Sequence, residues 1–464
     1  MSSHGIGQTI ARGMCIGCGA CAVATQGAIS LKLAPSRIYQ ADISGASESE
    51  VHKASRVCPF SDDSPNEDQL SAPREDSRMH KHSLLGTFTR TFAGRVSDDA
   101  YVLGSSSGGL TSWLLSKLVQ LGLVDGVINV GPAGKDAQEL FRHSVASGPE
   151  LRNRRKSQYY ATTMADVLEL IRGEPKRYAL VGVPCYIRAA RALCKEDPDI
   201  AEQLVLFVGL VCGHMKTQAY AESLAWQVGV PPHELEAVDF RVKGEGRLSS
   251  DYDFGALKKG ESRMRVAPMS TLRGGNWGHN TFQPEACNFC DDVVGETADI
   301  SFGDAWLPKF TSDPRGTNIV ISRNRRIDEI FAAAADTGEI TVHEVSAAEA
   351  AASQAGGFRH RRDGLAIRLA DDIAAGLSVP VKRVAPNATV VDKQRAKLFR
   401  QRRRIAKVSQ ELFSNAVAQG DLRVYLNGLK RETIRYERLE PISVRMRRAL
   451  RPLKKFLRRL RFVS

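Results

Sequence analysis

Four cysteines near the start of this 464-residue chain are spaced for inorganic chemistry. Cys15, Cys18 and Cys21 stand in the run C-I-G-C-G-A-C, and Cys58 is followed by Pro59. Each two-residue gap lets the backbone curl and turn its sulfur inward, so the triplet can wrap one corner of a cubane. A Cys-Pro pair further along is a usual source of the fourth ligand to a [4Fe–4S] cluster. Gly17 and Gly19 carry no Cβ that would hold backbone N–H groups away from the sulfurs. A zinc ribbon would present two separated C-x-x-C pairs instead, and a disulfide knot is the other alternative. The triplet favours iron.

A second set is more dispersed. Cys287 and Cys290 form C-N-F-C, while Cys185 (G-V-P-C) and Cys212 (V-C-G-H) each follow an apolar strand candidate, at 178–183 and 204–211. Strand C-termini in α/β cores open onto a shared crevice, so the four thiols could converge on a second cluster. The alternative is zinc on Cys287 and Cys290, with Cys185 and Cys212 as buried apolar-type thiols. Cys194, within a helix candidate at 187–194, reads as a core thiol.

The segment Ser105-Ser106-Ser107-Gly108-Gly109-Leu110-Thr111 precedes a helix expected from about 108 to 120, with Leu110, Trp113, Leu114 and Leu118 on one face and Gly122 as its stop. Small residues at a helix start expose free N–H groups, and the dipole there favours an anion. Ser107 could serve as N-cap and Thr111 could add a hydroxyl. A plain cap with flexible glycines fits the same pattern.

Apolar content of 42% and charged content of 25% are those of a globular chain with a sizeable core. Met1 to Met14 lacks an apolar signal-type region and no apolar run approaches a membrane span, so the expectation is a cytoplasmic protein, as free thiolate ligands also suggest. Strand candidates at 28–33, 124–130, 178–183 and 204–211 are separated by helices, and the pattern after 235 looks antiparallel. The fold class expected is α+β. Residues 61–78, rich in Ser, Asp, Glu and Pro, read as a linker. From 381 to 464 there are 24 Lys+Arg and 6 Asp+Glu, so the net charge of +13 belongs to this tail and not to the body. A long helix is expected over 393–416, with Leu398, Ile405, Val408 and Leu412 as its stripe. Met446, Leu450, Leu453, Leu457 and Leu460 continue an amphipathic basic pattern through 445–464, interrupted by Pro452.

The ordered motifs S-S-S-G-G-L-T-S-W-L-L, K-S-Q-Y-Y, L-V-G-V-P-C, L-V-C-G-H, F-R-V-K-G, C-N-F-C-D-D and D-I-S-F-G-D-A-W resemble those of the coenzyme F420 hydrogenase/dehydrogenase beta-subunit family. That family is itself similar to reductases of chlorophyll precursors, such as 7-hydroxymethyl chlorophyll a reductase. The resemblance covers roughly residues 10 to 345 and leaves out the basic tail. It implies a flavoprotein holding FAD and one or more [4Fe–4S] clusters. By that likeness Ser107, Gly108, Gly109 and Thr111 hold the FAD pyrophosphate. Ser157, Gln158 and Tyr159, with Lys156 before them, line the flavin, and Gly182 and Pro184 contribute to the same site. Gln158 stands where the family more often has lysine, which removes a positive charge beside the cofactor. Cys185, Cys212, Cys287 and Cys290 match the family's cysteine positions, and Arg241, Lys243 and Asp304 are further matches.

Three units follow from this reading: a ferredoxin-like iron–sulfur domain (1–75), a mixed α/β flavin-binding domain (76–380) and a basic helical extension (381–464). A flavin exchanges electron pairs and a cubane passes single electrons. The chain is therefore expected to be an oxidoreductase between ferredoxin or a partner redox subunit and a small two-electron acceptor, coenzyme F420 or another conjugated molecule. The other class is a non-catalytic electron-transfer subunit docked by its tail. His214 and Asp304 are the candidate proton donors, with a hydrogen-bonded structural role as the alternative for His214. The tail suits an anionic membrane surface. An acidic partner subunit or a solvated helix stands beside that reading, and nucleic acid is not expected.

Overall fold

The computed structural model describes residues 3–71, 79–134, 137–244 and 247–450. Its centre is an eight-stranded mixed sheet. In chain order its strands are β1 (Arg90–Val96), β2 (Gly126–Pro132), β3 (Phe141–Ala146), β4 (Tyr178–Gly182), β5 (Leu204–Leu210), β6 (Ile300–Asp304), β7 (Asn318–Ser322) and β8 (Ile340–Glu344). Their order across the sheet is β8-β1-β7-β6-β5-β4-β2-β3. The four inner strands β6, β5, β4 and β2 run parallel, and both flanks are antiparallel.

Parallel strands covered on both faces read as continuous apolar runs, and Y-A-L-V-G in β4 is buried at every position. Alternate residues serve opposite faces. Ala179 and Val181 pack with the helices Leu110–Gln120 and Arg325–Asp336, whereas Tyr178 and Leu180 pack with the helix Pro184–Glu196. Helix Leu110–Gln120 buries the four residues expected of it, and Leu123 N–H returns to Leu118 O around Gly122 at φ +63°. The expected antiparallel region is a three-stranded meander, Leu235–Val242, Asp253–Lys258 and Arg265–Pro268.

The N-terminal unit shares its core with the body. Helices Ala20–Ala24, Glu48–Val57 and Glu67–Ser71 pack on Pro184–Glu196, and the apolar cluster there spans Met14 and Ile16 through Leu193 to Phe289. Residues 61–71, expected as linker, are anchored: Arg188 donates to Pro65 O and forms an ion pair with buried Glu67 at 3.3 Å. The remainder of that stretch, 72–78, lies outside the described residues.

The basic C-terminal region is likewise built into the body as far as residue 439. Helices Lys393–Gln419 and Leu422–Leu439 form a hairpin. Its buried face is Leu398, Phe399, Ile405, Ser409, Phe413 and Tyr425, with the expected Val408 and Leu412 only half-buried. Ser409 Oγ accepts from Phe282 N–H at 2.8 Å, and the Phe413 ring lies 5.7 Å from Phe282 and 5.6 Å from Tyr425. Arg383 reaches Glu296 at 2.8 Å, Asp291 at 3.3 Å and Glu67 at 3.5 Å. Many of the tail's charges are thus spent on internal carboxylates. Of the pattern expected over 445–464, Leu453, Leu457 and Leu460 lie outside the described residues. No described helix is long and apolar enough to cross a membrane.

If the hairpin belongs to the cooperative core, Phe413→Ala should cost about 3–5 kcal/mol, read as a lower urea midpoint in circular dichroism. An unchanged midpoint would detach the hairpin from the core.

Candidate functional site

Cys15, Cys18, Cys21 and Cys58 ring one small cavity of about 20 Å³, whose other walls are mainly apolar (Ile6, Ile10, Ile16, Leu31 and Phe60), with the hydroxyl of Thr9 beside Cys58. The sharp path of the C-I-G-C-G-A-C loop needs its glycines. Gly17 and Gly19 have φ of +65° and +92°, and a Cβ at either would lie 2.5 Å from Tyr39 O or 2.7 Å from Ala165 N. Ala41 N–H points at Cys15 Sγ at 3.4 Å, and backbone N–H groups of Gly17, Ala20, Ala22 and Phe60 face the other sulfurs or Cys15 itself. Such donors stabilise thiolates and tune a bound cluster. Cys15 and Cys58 are partly exposed, whereas Cys18 and Cys21 are buried.

Cys185 and Cys212 follow the C-terminal ends of the parallel strands β4 and β5, as the crevice rule requires. With Cys287 and Cys290 they form a second group, in which Cys185 feels the other three sulfurs electrostatically and Cys212 feels Cys287 and Cys290. Met215 N–H donates to Cys287 Sγ at 3.4 Å, and Met215 Sδ lies 3.7 Å from Cys185 Sγ. Burial pushes the thiols up in both groups, Cys18 and Cys212 to about 12. Among the described residues no three His, Cys, Asp or Glu side chains are drawn tightly enough together to share one metal ion; the four sulfurs of the first group surround a space. Cys194 stands apart from both groups.

The buried Arg361, which the sequence did not single out, faces the second group. Its Nη2 donates to Gly213 O at 2.8 Å and its Nη1 to Cys290 O at 3.4 Å. Burial alone would lower its pKa, yet the charges of Cys290, Cys287, Cys212 and Cys185 hold it above the ordinary arginine value.

A cavity of about 290 Å³ opens beside this second group. Its size is near the lower end of small-molecule sites. Ser105, Ser106, Ser107, Gly109 and Thr111 line one end, and Cys212, Gly213, His214, Met215 and Lys216 line another. The N-cap of helix Leu110–Gln120 is Gly109 and not Ser107, whose Oγ instead donates to Thr317 O at 3.2 Å. Gly109 has no side chain to cap the helix, and Asn318 Oδ1 takes the N–H of Leu110 at 3.1 Å, so it is the N–H groups after Leu110 in the first turn that are left for an anion. Lys243 Nζ pins this loop by donating to Ser107 O at 2.9 Å and Val102 O at 2.7 Å. Ser157 N–H donates to Ser106 Oγ at 2.7 Å, joining the K-S-Q-Y segment to the serine loop. Gln158, Tyr159 and Gly182 line the cavity, whereas Gly108 and Pro184 do not. A Cβ on Gly108 would meet Gly94 O at 2.7 Å, and Pro184 opens the helix that carries Cys185.

Arg154, Arg155 and Lys156 line the same cavity, so the positive charge absent at Gln158 is supplied by its neighbours. The run R-N-R-R immediately before K-S-Q-Y was the available signal. Trp277 is a further wall; its ring lies 4.4 Å from that of His214 and 4.8 Å from that of Tyr159. Gln158 Oε1, His214 Nε2 and Arg241 Nε are buried without hydrogen-bond partners among the described residues, three polar atoms left for a ligand with complementary groups.

The two expected proton donors fare differently. Both oxygens of Asp304 accept from Arg241, at 3.1 and 2.9 Å. That bidentate pair anchors the carboxylate against the guanidinium. Burial holds His214 well below its ordinary pKa, with Lys216, Arg361 and Arg402 adding to the effect, so the ring is neutral. Lys216 is also buried, held down to about 7, with its Nζ over the Trp277 ring at 4.7 Å.

Tyr186 joins the three places. It lines the cavity, its hydroxyl donates to Thr162 O at 2.6 Å with Ile16 O at 3.2 Å, and it feels sulfurs of both groups. His143 stacks on it at 5.7 Å.

Comparison with known proteins matches residues 91–169 to the N-terminal family model, and residues 175–348 to the C-terminal family model, of the coenzyme F420 hydrogenase/dehydrogenase beta subunit. The F polypeptide of the F(420)H(2) dehydrogenase of Methanosarcina mazei is 25% identical over 343 residues, 72% of this chain and 86% of its own length. The beta chain of the coenzyme F420 hydrogenase of Methanothermobacter thermautotrophicus is 23% identical over 263 residues, 55% of this chain and 84% of its own. A chain of the F420-reducing [NiFe] hydrogenase complex of Methanosarcina barkeri superposes with a TM-score of 0.48 at 17% identity, covering 65% of this chain and 98% of that one.

Burial holds His143 down to about 4, against the opposing bond from its ring to Thr163 O. The unfolded chain takes up a proton below about 6.5 and the folded one does not until about 4. Stability is therefore complete above 6.5 and falls as acid is added through that window, by about 2 kcal/mol at pH 5 from this residue. Urea midpoints at pH 7 and pH 5 should diverge less in His143→Gln than in the unaltered protein.

Proposed function

The chain belongs to the coenzyme F420 hydrogenase/dehydrogenase beta-subunit family, and on that footing we propose that it is a flavin- and [4Fe–4S]-dependent oxidoreductase. It would join a one-electron donor, ferredoxin or a partner redox subunit, to a two-electron acceptor such as coenzyme F420 or another conjugated ring. The observation that carries this reading is continuity: the strip from Cys212 to Lys216 is at once a wall of the large cavity and part of the second thiol group.

FAD in the cavity would exchange electron pairs as hydride, and clusters on the two thiol groups would pass single electrons. The serine loop, Gly109, Thr111 and the helix start receive the pyrophosphate, with Arg154 and Arg155 as counter-charges. Tyr159 and Trp277 offer aromatic faces for the ring system, and the unpaired Gln158 Oε1 and Arg241 Nε offer it polar contacts. Asp304 orients Arg241. Lys216 Nζ, near neutrality, can hold and release a proton at working pH. Two thiols of the first group, Cys15 and Cys58, are partly exposed against one, Cys185, in the second, which favours the first as the entry point for an incoming donor.

Anaerobic purification should yield about one FAD and about eight iron atoms per chain, with flavin that reduced ferredoxin bleaches. Cys18→Ser and Cys287→Ser should each remove about half the iron. Clusters without flavin would favour a relay role, and colourless protein after reconstitution would sink both readings.

A membrane-surface role for the C-terminus has one observation of its own. Ile442 is 73% and Met446 58% exposed on the last described helix, in a segment (441–464) holding nine basic and no acidic residues. The full chain should float with anionic vesicles, and a chain ending at 440 should not. Equal flotation of the two would remove the idea.

A further inference from the structure

Arg361 ends the helix Ala355–Arg361, beyond the residues matched to the family. It is 1% exposed, and its fork is fixed on two thiol-bearing loops: Nε and Nη2 donate to Gly213 O, the residue after Cys212, and Nη1 donates to Cys290 O. Among the described residues no carboxylate forms an ion pair with it. Its neighbours add to the positive field. Arg368, equally buried, donates to Asn288 O and His360 O and feels Arg361 as a like charge. A buried guanidinium calls for an anion, and the chain offers it four sulfurs.

The first thiol group is electrically different. The cation near Cys58 is Arg188, which is already neutralised by Glu67 at 3.3 Å. One group therefore faces an unpaired positive charge and the other does not.

We propose that Arg361 is the fixed counter-charge of the second centre, a positioning residue that makes electron entry there more favourable. This rests on the reading that Cys185, Cys212, Cys287 and Cys290 hold a cluster. A cubane on four thiolates is anionic and gains one further negative charge with each electron it accepts, so a fixed cation favours the reduced form. The electron comes from the one-electron donor, and no bond to the arginine forms or breaks.

The test is redox potentiometry followed by electron paramagnetic resonance on the full-length holoprotein, with the first cluster as internal control. Arg361→Gln should lower the reduction equilibrium constant of the second cluster at least about tenfold, about 59 mV for a one-electron couple, and leave the first unchanged. Arg361→Lys, which keeps the charge but loses the fork, should shift it less, in the same direction. Full iron content with an unmoved second midpoint in Arg361→Gln overturns the proposal. Should that variant lose iron or fail to fold, Arg361→Lys decides: a shift of the second midpoint alone supports the role, and none overturns it. A wild-type protein carrying the iron of a single cluster would overturn the underlying assignment, and this inference with it.

Discussion

Charge in an apolar interior has to meet its opposite within a few ångströms, because little else there screens it. Three places in this chain are built around that constraint. Arg188 and Glu67 neutralise each other beneath the first cysteine loop. Arg383 gathers Glu67, Asp291 and Glu296. Arg361 has no carboxylate partner among the described residues and faces the four thiols of the second group, which burial keeps protonated until something positive takes the proton's place. Iron is such a partner, and it would leave an anionic centre for the guanidinium to balance.

The sheet supplies the geometry. Its four inner strands run the same way, so the loops after β4, β5 and β6 leave from one edge. Cys185, the Cys212–Lys216 strip and Asp304 all come from these turns. The antiparallel flanks bring Asn318, on β7, to the helix start at the far end of the same cavity, where its Oδ1 accepts from Leu110 N–H at 3.1 Å. Tyr186, one residue after Cys185, then meets both sulfur groups from within a single turn of helix.

Much of this was legible in local pattern. The strands at 178–182 and 204–210 and the helix at 110–120 are read from continuous apolar runs and from a helical stripe that ends at glycine. The C-x-x-C-x-x-C run and its distant Cys-Pro needed only spacing. What was illegible depended on long-range partners. Arg361 sits in F-R-H-R-R, which looks like a solvated basic face, and nothing local says that Gly213 O lies against it. The composition change at 381 suggested an appendage, yet Phe399 and Phe413 fill the core and the arginines among them answer carboxylates as distant as Glu285. Asp304 looked available as an acid because its partner, Arg241, is on a different strand system.

The Arg383 clamp bears on how the polypeptide is made. Synthesis runs from the amino end, so Glu67, Asp291 and Glu296 are all made before the arginine that joins them. Arg188 already answers Glu67 by then, whereas Asp291 and Glu296 meet Arg383 only late in the chain.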